Sequence, residues 1–234
     1  MSESAEGSSN MASSVPAALF PLVRHISKRL TPFLARLPVT ANQITAASLV
    51  LGLGAAWAMT EGDQSWEIAG GVLLVLCYTL DNCDGEIARL KNQCSNFGSH
   101  FDTFVDWVVH AGIFSGLGYG AFRETGEGLW LWFGLLAAAG GTLNYVIGIV
   151  IDALATEMSG ESAAGGAEGA RAVPGNVREW LVFSFRELTR ADFCFIVLVL
   201  ALFDVVWVLL PAGAVGAQVY WIARFVRGAG DYHV

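Results

Sequence analysis

Residues 81–106 read DNCDGEIARLKNQCSNFGSHFDTFVD. Asp81 and Asp84 stand three residues apart and Asp102 and Asp106 four, the spacings that put side chains on one face of a helix. Uncharged apolar runs flank the stretch, from Ile68 to Leu80 before it and from Trp107 to Phe122 after it. Crossing a bilayer takes about 20 residues, so each run spans only if its helix continues through the acids, giving spans of about 67 to 89 and 98 to 122. At 1.5 Å per residue, Asp81 and Asp84 lie roughly 21 and 25 Å from Glu67, and Asp106 and Asp102 roughly 25 and 31 Å from Arg123. Two antiparallel helices thereby bring their acids to one level. At 100° per residue, Asp81, Asp84, Gly85, Ala88 and Arg89 share an arc of the first helix, while Gly98, Asp102 and Asp106 form a stripe on the second.

Outward from this stretch, Leu37 to Thr60 and Gly128 to Ile151 are uncharged, and Phe193 to Ala223 is long enough for two short spans with Pro211, Ala212 and Gly213 as the hairpin. The expected fold is all-α, a polytopic membrane bundle of six transmembrane helices. A composition of 54% hydrophobic and 15% charged residues in 234 excludes an ordinary soluble globule. The net charge of -8 gives no basic face for nucleic acid. With both termini inside, every Lys and Arg except Arg123 falls on the cytoplasmic side. This describes a multi-pass protein of the cell (inner) membrane with the acids facing the cytoplasm. Cys77, Cys83, Cys94 and Cys194 show neither zinc nor disulfide spacing and read as small packing residues.

Residues 1–15 are small and polar, without signal-peptide character, and read as a disordered tail. Residues 16–38 form the N-terminal amphipathic interfacial helix: Leu19, Val23, Ile26, Leu30, Phe33, Leu34 and Leu37 recur at helical spacing, with Arg24, Lys28, Arg29 and Arg36 mostly on the other face. Packing of that helix on protein is the alternative. Residues 39–234 make the membrane domain, interrupted by a flexible cytoplasmic loop at 158–176 and followed there by a second interfacial helix from Val177 to Ala191.

Four converging carboxylates near the hydrocarbon edge repel one another unless cations sit between them. Oxygen-only ligands select hard divalent ions, and two Mg²⁺ or Mn²⁺ ions offset four negative charges. Gly85 and Ala88 let a phosphate approach the backbone, and Arg89 is a forked donor for phosphate oxygens. Together these residues describe phosphate chemistry, in which a remaining carboxylate takes the proton of an incoming hydroxyl.

The pattern Asp81-x2-Asp84-Gly85-x2-Ala88-Arg89, eight residues, then Gly98-x3-Asp102-x3-Asp106 resembles the signature of the CDP-alcohol phosphatidyltransferase family. The resemblance implies a phospholipid-biosynthesis transferase that moves a phosphatidyl group from a CDP-linked donor to an alcohol, releasing CMP. It implies that Asp81, Asp84, Asp102 and Asp106 hold two metals, with Asp106 also the catalytic base, and that Gly85, Ala88 and Arg89 border the CDP moiety. Residues Thr40 to Thr45 are similar to the family's segment entering the first span, which carries Asn42 over to the CDP site. Ser95 joins it as a family preference, with a helix N-cap as its other reading. Homodimers are implied too.

A site at the hydrocarbon edge leaves acyl chains in lipid, which favours CDP-diacylglycerol as donor and a small polar alcohol as acceptor. The reversed assignment has a soluble CDP-alcohol donor and a lipid hydroxyl acceptor. A divalent-cation transporter would also need intramembrane acids, but not Gly85, Ala88 and Arg89 at these offsets. Trp107, where branches with phosphorylated acceptors often carry a basic residue, argues mildly against such an acceptor, with core packing as its equal alternative, and His110 reads as a hydrogen-bonded bundle residue. Asp204 is expected inside the fifth span, bonded to Gln218 or Tyr220. Gly112, Gly116 and Gly120 suit close helix contact, between subunits or within the chain.

Overall fold

A computed structural model of the chain describes residues 21–159 and 192–231. The expected tail at 1–15, nearly all of the 158–176 loop and the expected helix at 177–191 lie outside the described residues. Within them the fold is all-helical: α1 (Val23–Ala35), α2 (Ala41–Met59), α3 (Gln64–Leu90), α4 (Asn96–Thr125), α5 (Gly128–Ser159), α6 (Phe193–Leu202) and α7 (Leu209–Asp231), with a 3-10 turn at Val206–Val208.

Helix starts have local causes. Thr40 caps α2 in a reciprocal box with Gln43, Asp63 accepts from the Ser65 N–H at the start of α3, and Ser95 accepts from the Gly98 N–H at the start of α4. Gly126, at φ 74°, ends α4 in the left-handed region. Helices α3 and α4 do run through the carboxylates, as their short apolar stretches require.

Two expectations fail near the C-terminus. The α6–α7 reversal falls at residues 203–205, not at Pro211 to Gly213: the Asp204 and Val205 N–H groups donate back to Ala201 and Leu200, and Asp204 itself adopts φ 59°. Pro211 is the third residue of α7, where an N–H has no intrahelical acceptor anyway, so the proline begins the helix instead of breaking it. Asp204 is consequently an exposed turn residue, while Gln218 donates to the Leu136 carbonyl and accepts from Trp221.

Neighbouring helices pack in the order α6, α3, α2, α4, α5, α7, and α1 lies on α3. Their shared core includes Met59, Leu74, Cys77, Val105, Ile113, Leu117, Val197 and Leu210. The Gly112, Gly116 and Gly120 stripe faces α2: a Cβ at 116 or 120 would collide with the carbonyl oxygen of Ala56 or Met59. Its close contact is therefore within the chain. Cys77, Cys83 and Cys194 are buried as expected, but Cys94 is exposed.

Helix α1 buries Val23, Ser27 and Thr31, leaving Ile26 41% and Phe33 61% exposed. Ser27 donates to Glu86 of α3 at 3.1 Å. The first turn of α1 is capped from far along the chain, because the buried Asp192 carboxylate accepts from the N–H groups of Leu22 (2.7 Å) and Val23 (2.9 Å). So α1 packs on protein through Val23, Ser27 and Thr31, flanked by Leu30 and Leu34, and keeps Ile26 and Phe33 outward. Trp132, Leu135, Val146 and Ile149 of α5 and Val215, Val219 and Ile222 of α7 also face outward. Gly128–Ala153 and Val206–Val226 are long and apolar enough to cross a membrane.

Candidate active site

Five of the expected residues, Asp81, Asp84, Gly85, Ala88 and Arg89, sit in the last three turns of α3, and Asp102 and Asp106 in the first three of α4. The connection between these helices is pinned. Asn92 takes φ 53° to turn the chain, and the Lys91 ammonium donates to the carbonyls of Leu37 (2.9 Å) and Val39 (2.8 Å) just before α2. This fixes the ends of α2, α3 and α4 around one opening.

Asp81, Asp84 and Asp102 each bring one carboxylate oxygen to within 4.8 Å of the others. Opposite ligands of an octahedral Mg²⁺ at 2.0–2.1 Å lie about 4.2 Å apart, a little under that limit, so the three carboxylates have only to close slightly to hold a hard cation. A second observation supports the fit: Asp102 Oδ1 is buried without a hydrogen-bond partner, a state that costs free energy unless a cation supplies the missing contact. Asp84 is buried and accepts a hydrogen bond from the Thr45 hydroxyl, which leaves its other oxygen for the triad. Asp106 does not join these three. It is exposed one turn along α4, close enough for its charge to act on Asp81.

Beyond the acids, a second polar layer links α3 to α4. His110 Nδ1 meets the Asp106 carbonyl at 2.8 Å and its Nε2 meets the Tyr78 hydroxyl at 2.8 Å. A carbonyl only accepts, so Nδ1 carries a proton, and a neutral ring then accepts from Tyr78 at Nε2. His110 is thus a bundle residue bonded at both nitrogens, as read from the sequence. Trp107 donates to Thr142 at 3.0 Å and stacks on Tyr145 with centroids 4.9 Å apart. Packing against α5 accounts for the aromatic residue beside Asp106.

A cavity of about 230 Å³ opens beside the triad. All five residues assigned to the CDP moiety line it, Asn42, Gly85, Ala88, Arg89 and Ser95, together with Asp84 and Asp102. A Cβ at Gly85 would meet only the Arg89 guanidinium, at 3.6 Å, so this glycine keeps the cavity open and is not needed for packing. At Gly98 a Cβ would lie 3.2 Å from both Asn42 Oδ1 and Ser95 Oγ, and its absence lets α2 approach α4. Ser95 is both an N-cap and a wall residue. The wall also holds Thr45, Gln93, Cys94 and Ser99, which sequence reasoning did not single out as site residues. Acidic ligands, a forked cation and an open volume on one wall suit a diphosphate held between metal and guanidinium.

The sequence model of the CDP-alcohol phosphatidyltransferase family matches residues 38–219. A bifunctional IPC transferase and DIPP synthase of Thermococcus kodakarensis is 30% identical over 123 residues, 51% of this chain and 27% of that protein. An archaetidylinositol phosphate synthase of Pyrococcus horikoshii is 31% identical over 100 residues, 43% of this chain and 52% of that protein. The chain thus spans about a quarter of the length of the first of these relatives and about half of the second. The fold is similar to the crystal structure of Mycobacterium tuberculosis phosphatidylinositol phosphate synthase with CDP-DAG bound, at a TM-score of 0.53 and 21% identity over 85% of this chain and 92% of that one. The matched span runs from the residues before α2 into α7 and contains the triad, Asp106 and the cavity wall, and on that evidence the chain belongs to the CDP-alcohol phosphatidyltransferase family.

Proposed function

We propose that this protein transfers a phosphatidyl group from CDP-diacylglycerol to the hydroxyl of a small polar alcohol and releases CMP. The observation that carries the reading is the meeting of the Asp81, Asp84 and Asp102 carboxylates beside a cavity lined by Gly85, Ala88 and Arg89. With Asp106 they would hold two divalent ions, Mg²⁺ or Mn²⁺, which when bound neutralise the diphosphate and the charge on departing CMP. Arg89 binds a phosphate oxygen, and Gly85 and Ala88 leave room for the nucleotide. Asp106, exposed beside the triad, accepts the proton of the acceptor hydroxyl. The acceptor oxygen bonds to the lipid-linked phosphorus as that phosphorus loses its bridging oxygen to CMP.

The membrane reading belongs to the same proposal: residues 39–234 form a six-span domain, α1 lies in the cytoplasmic interface, and both termini and the site face the cytoplasm. Outward apolar side chains on α1, α5 and α7 support it. A homodimer rests on family likeness alone, since the glycine stripe is engaged within the chain.

The test uses the purified full chain in mixed micelles with CDP-diacylglycerol, Mg²⁺ or Mn²⁺, and glycerol, serine, inositol and their phosphates as acceptors. The names of the archaeal and mycobacterial relatives put inositol phosphate first in that panel. CMP release with one acceptor is expected, and Asp106→Asn lowers kcat by about 10²- to 10⁴-fold, the scale of a general base. No release with any acceptor, or undiminished release in the variant, refutes the assignment.

A further inference from the structure

We infer that Gln93 reads the base of the bound nucleotide, donating from its amide nitrogen to the acceptor edge of cytosine. The inference rests on the CDP-linked donor proposed above. Gln93 lies in the α3–α4 connection, on the cavity wall. It is held twice: its N–H donates to the Ala88 carbonyl at 2.8 Å, and its Oε1 accepts from the Ala41 N–H at 3.0 Å. Ala88 and Ala41 are themselves wall residues.

These contacts decide the orientation of the amide. A backbone N–H only donates, so the end that meets Ala41 is the oxygen, and the free end is the NH₂ group with two protons. Among the described residues no protein acceptor takes either proton. A donor pair fixed at the wall of a nucleotide-sized cavity selects for bases that present acceptors. Cytosine does so with N3 and O2. Uracil presents an N3–H donor at the same place, so two donors face each other and one is left unpaired.

Gln93→Glu separates reading from mere support. The carboxylate keeps an oxygen for the Ala41 N–H and nearly the same shape, but replaces the donor end by an acceptor. Its added charge weakens CDP and UDP alike, so the ratio of their dissociation constants isolates the base edge. Calorimetric titration of the full chain in detergent with Mg²⁺ should show the wild type binding CDP about tenfold or more tighter than UDP, the scale on which a lost hydrogen bond discriminates. In Gln93→Glu the ratio falls to near one or inverts. Gln93→Met, of similar length without an amide, should also bring it toward one, which covers the case in which the glutamate variant does not fold. A wild type without preference, or variants that lose affinity for both nucleotides at the original ratio, overturns the inference and leaves Gln93 a wall support. If the wild type releases CMP from CDP-diacylglycerol while the ratio stays fixed, only the role of Gln93 falls. If it neither releases CMP nor binds CDP, the transferase reading falls first.

Discussion

The Thr45 hydroxyl lies within hydrogen-bond reach of both Asp84 and the Ala41 carbonyl one turn back and shares its one proton between them, so a single side chain ties a triad carboxylate to the first turn of α2. Outer-shell partners of metal ligands typically change affinity 10- to 100-fold when removed. Thr45→Val keeps the shape and deletes the donor. The Mg²⁺ concentration for half-maximal CMP release should rise by about 10- to 100-fold, read from a metal titration. Gly85 makes the complementary case, because its missing side chain faces the cavity and not a neighbour. Gly85→Leu should abolish CDP binding in calorimetry while the thermal midpoint moves by no more than about 4 °C, the shift that roughly 1 kcal/mol produces. The aspartates and small residues were legible because helical spacing alone puts them on one face. Thr45 and Gln93 were not, since their partners lie 39 and 52 residues away in sequence and only packing brings them together.

Among the elements, α4 shows what the small residues do. Gly116 and Gly120 let the far half of its backbone approach the carbonyls at the end of α2, while Gly98 lets its first turn approach Asn42 at the start of α2, beside Asp102. Gly116→Ala forces a methyl against the Ala56 carbonyl and should destabilise by about 1 to 3 kcal/mol, seen as a lower thermal midpoint in detergent. Helical periodicity marked the apolar residues of α1, and packing divides them: Ile26 and Phe33 stay exposed, while Val23 is buried and Leu30 and Leu34 pack against Ile44, Cys83 and Ile87. Ser27 and Thr31, which no hydrophobic pattern marks, complete the buried stripe between them. Pro211 misled because a proline is as suited to the first turn of a helix as to a hairpin, and the residue that takes the left-handed turn is Asp204, which no spacing rule marks.

For the whole molecule, the apolar side chains on the outer faces of α5 and α7 stay largely exposed among the described residues. Membrane fractions washed in alkaline carbonate should retain the full chain, and release of most of it into the wash would contradict insertion of those helices. The all-helical class was legible from composition and run length, because nothing but a helix satisfies its own backbone over such stretches. The order in which the helices pack was not, since it follows from complementary small and large surfaces that a single chain does not align for the reader.

Asp192 has a consequence for the order in which this protein is built. It stands 170 residues after Leu22, whose N–H it receives, so α1 leaves the ribosome long before its cap exists. At about 5 to 20 residues per second, the delay is roughly 10 to 30 s. Through that interval the first turn of α1 lacks its carboxylate acceptor, and the segment that carries Asp192, on arriving, completes a helix made some 170 residues earlier.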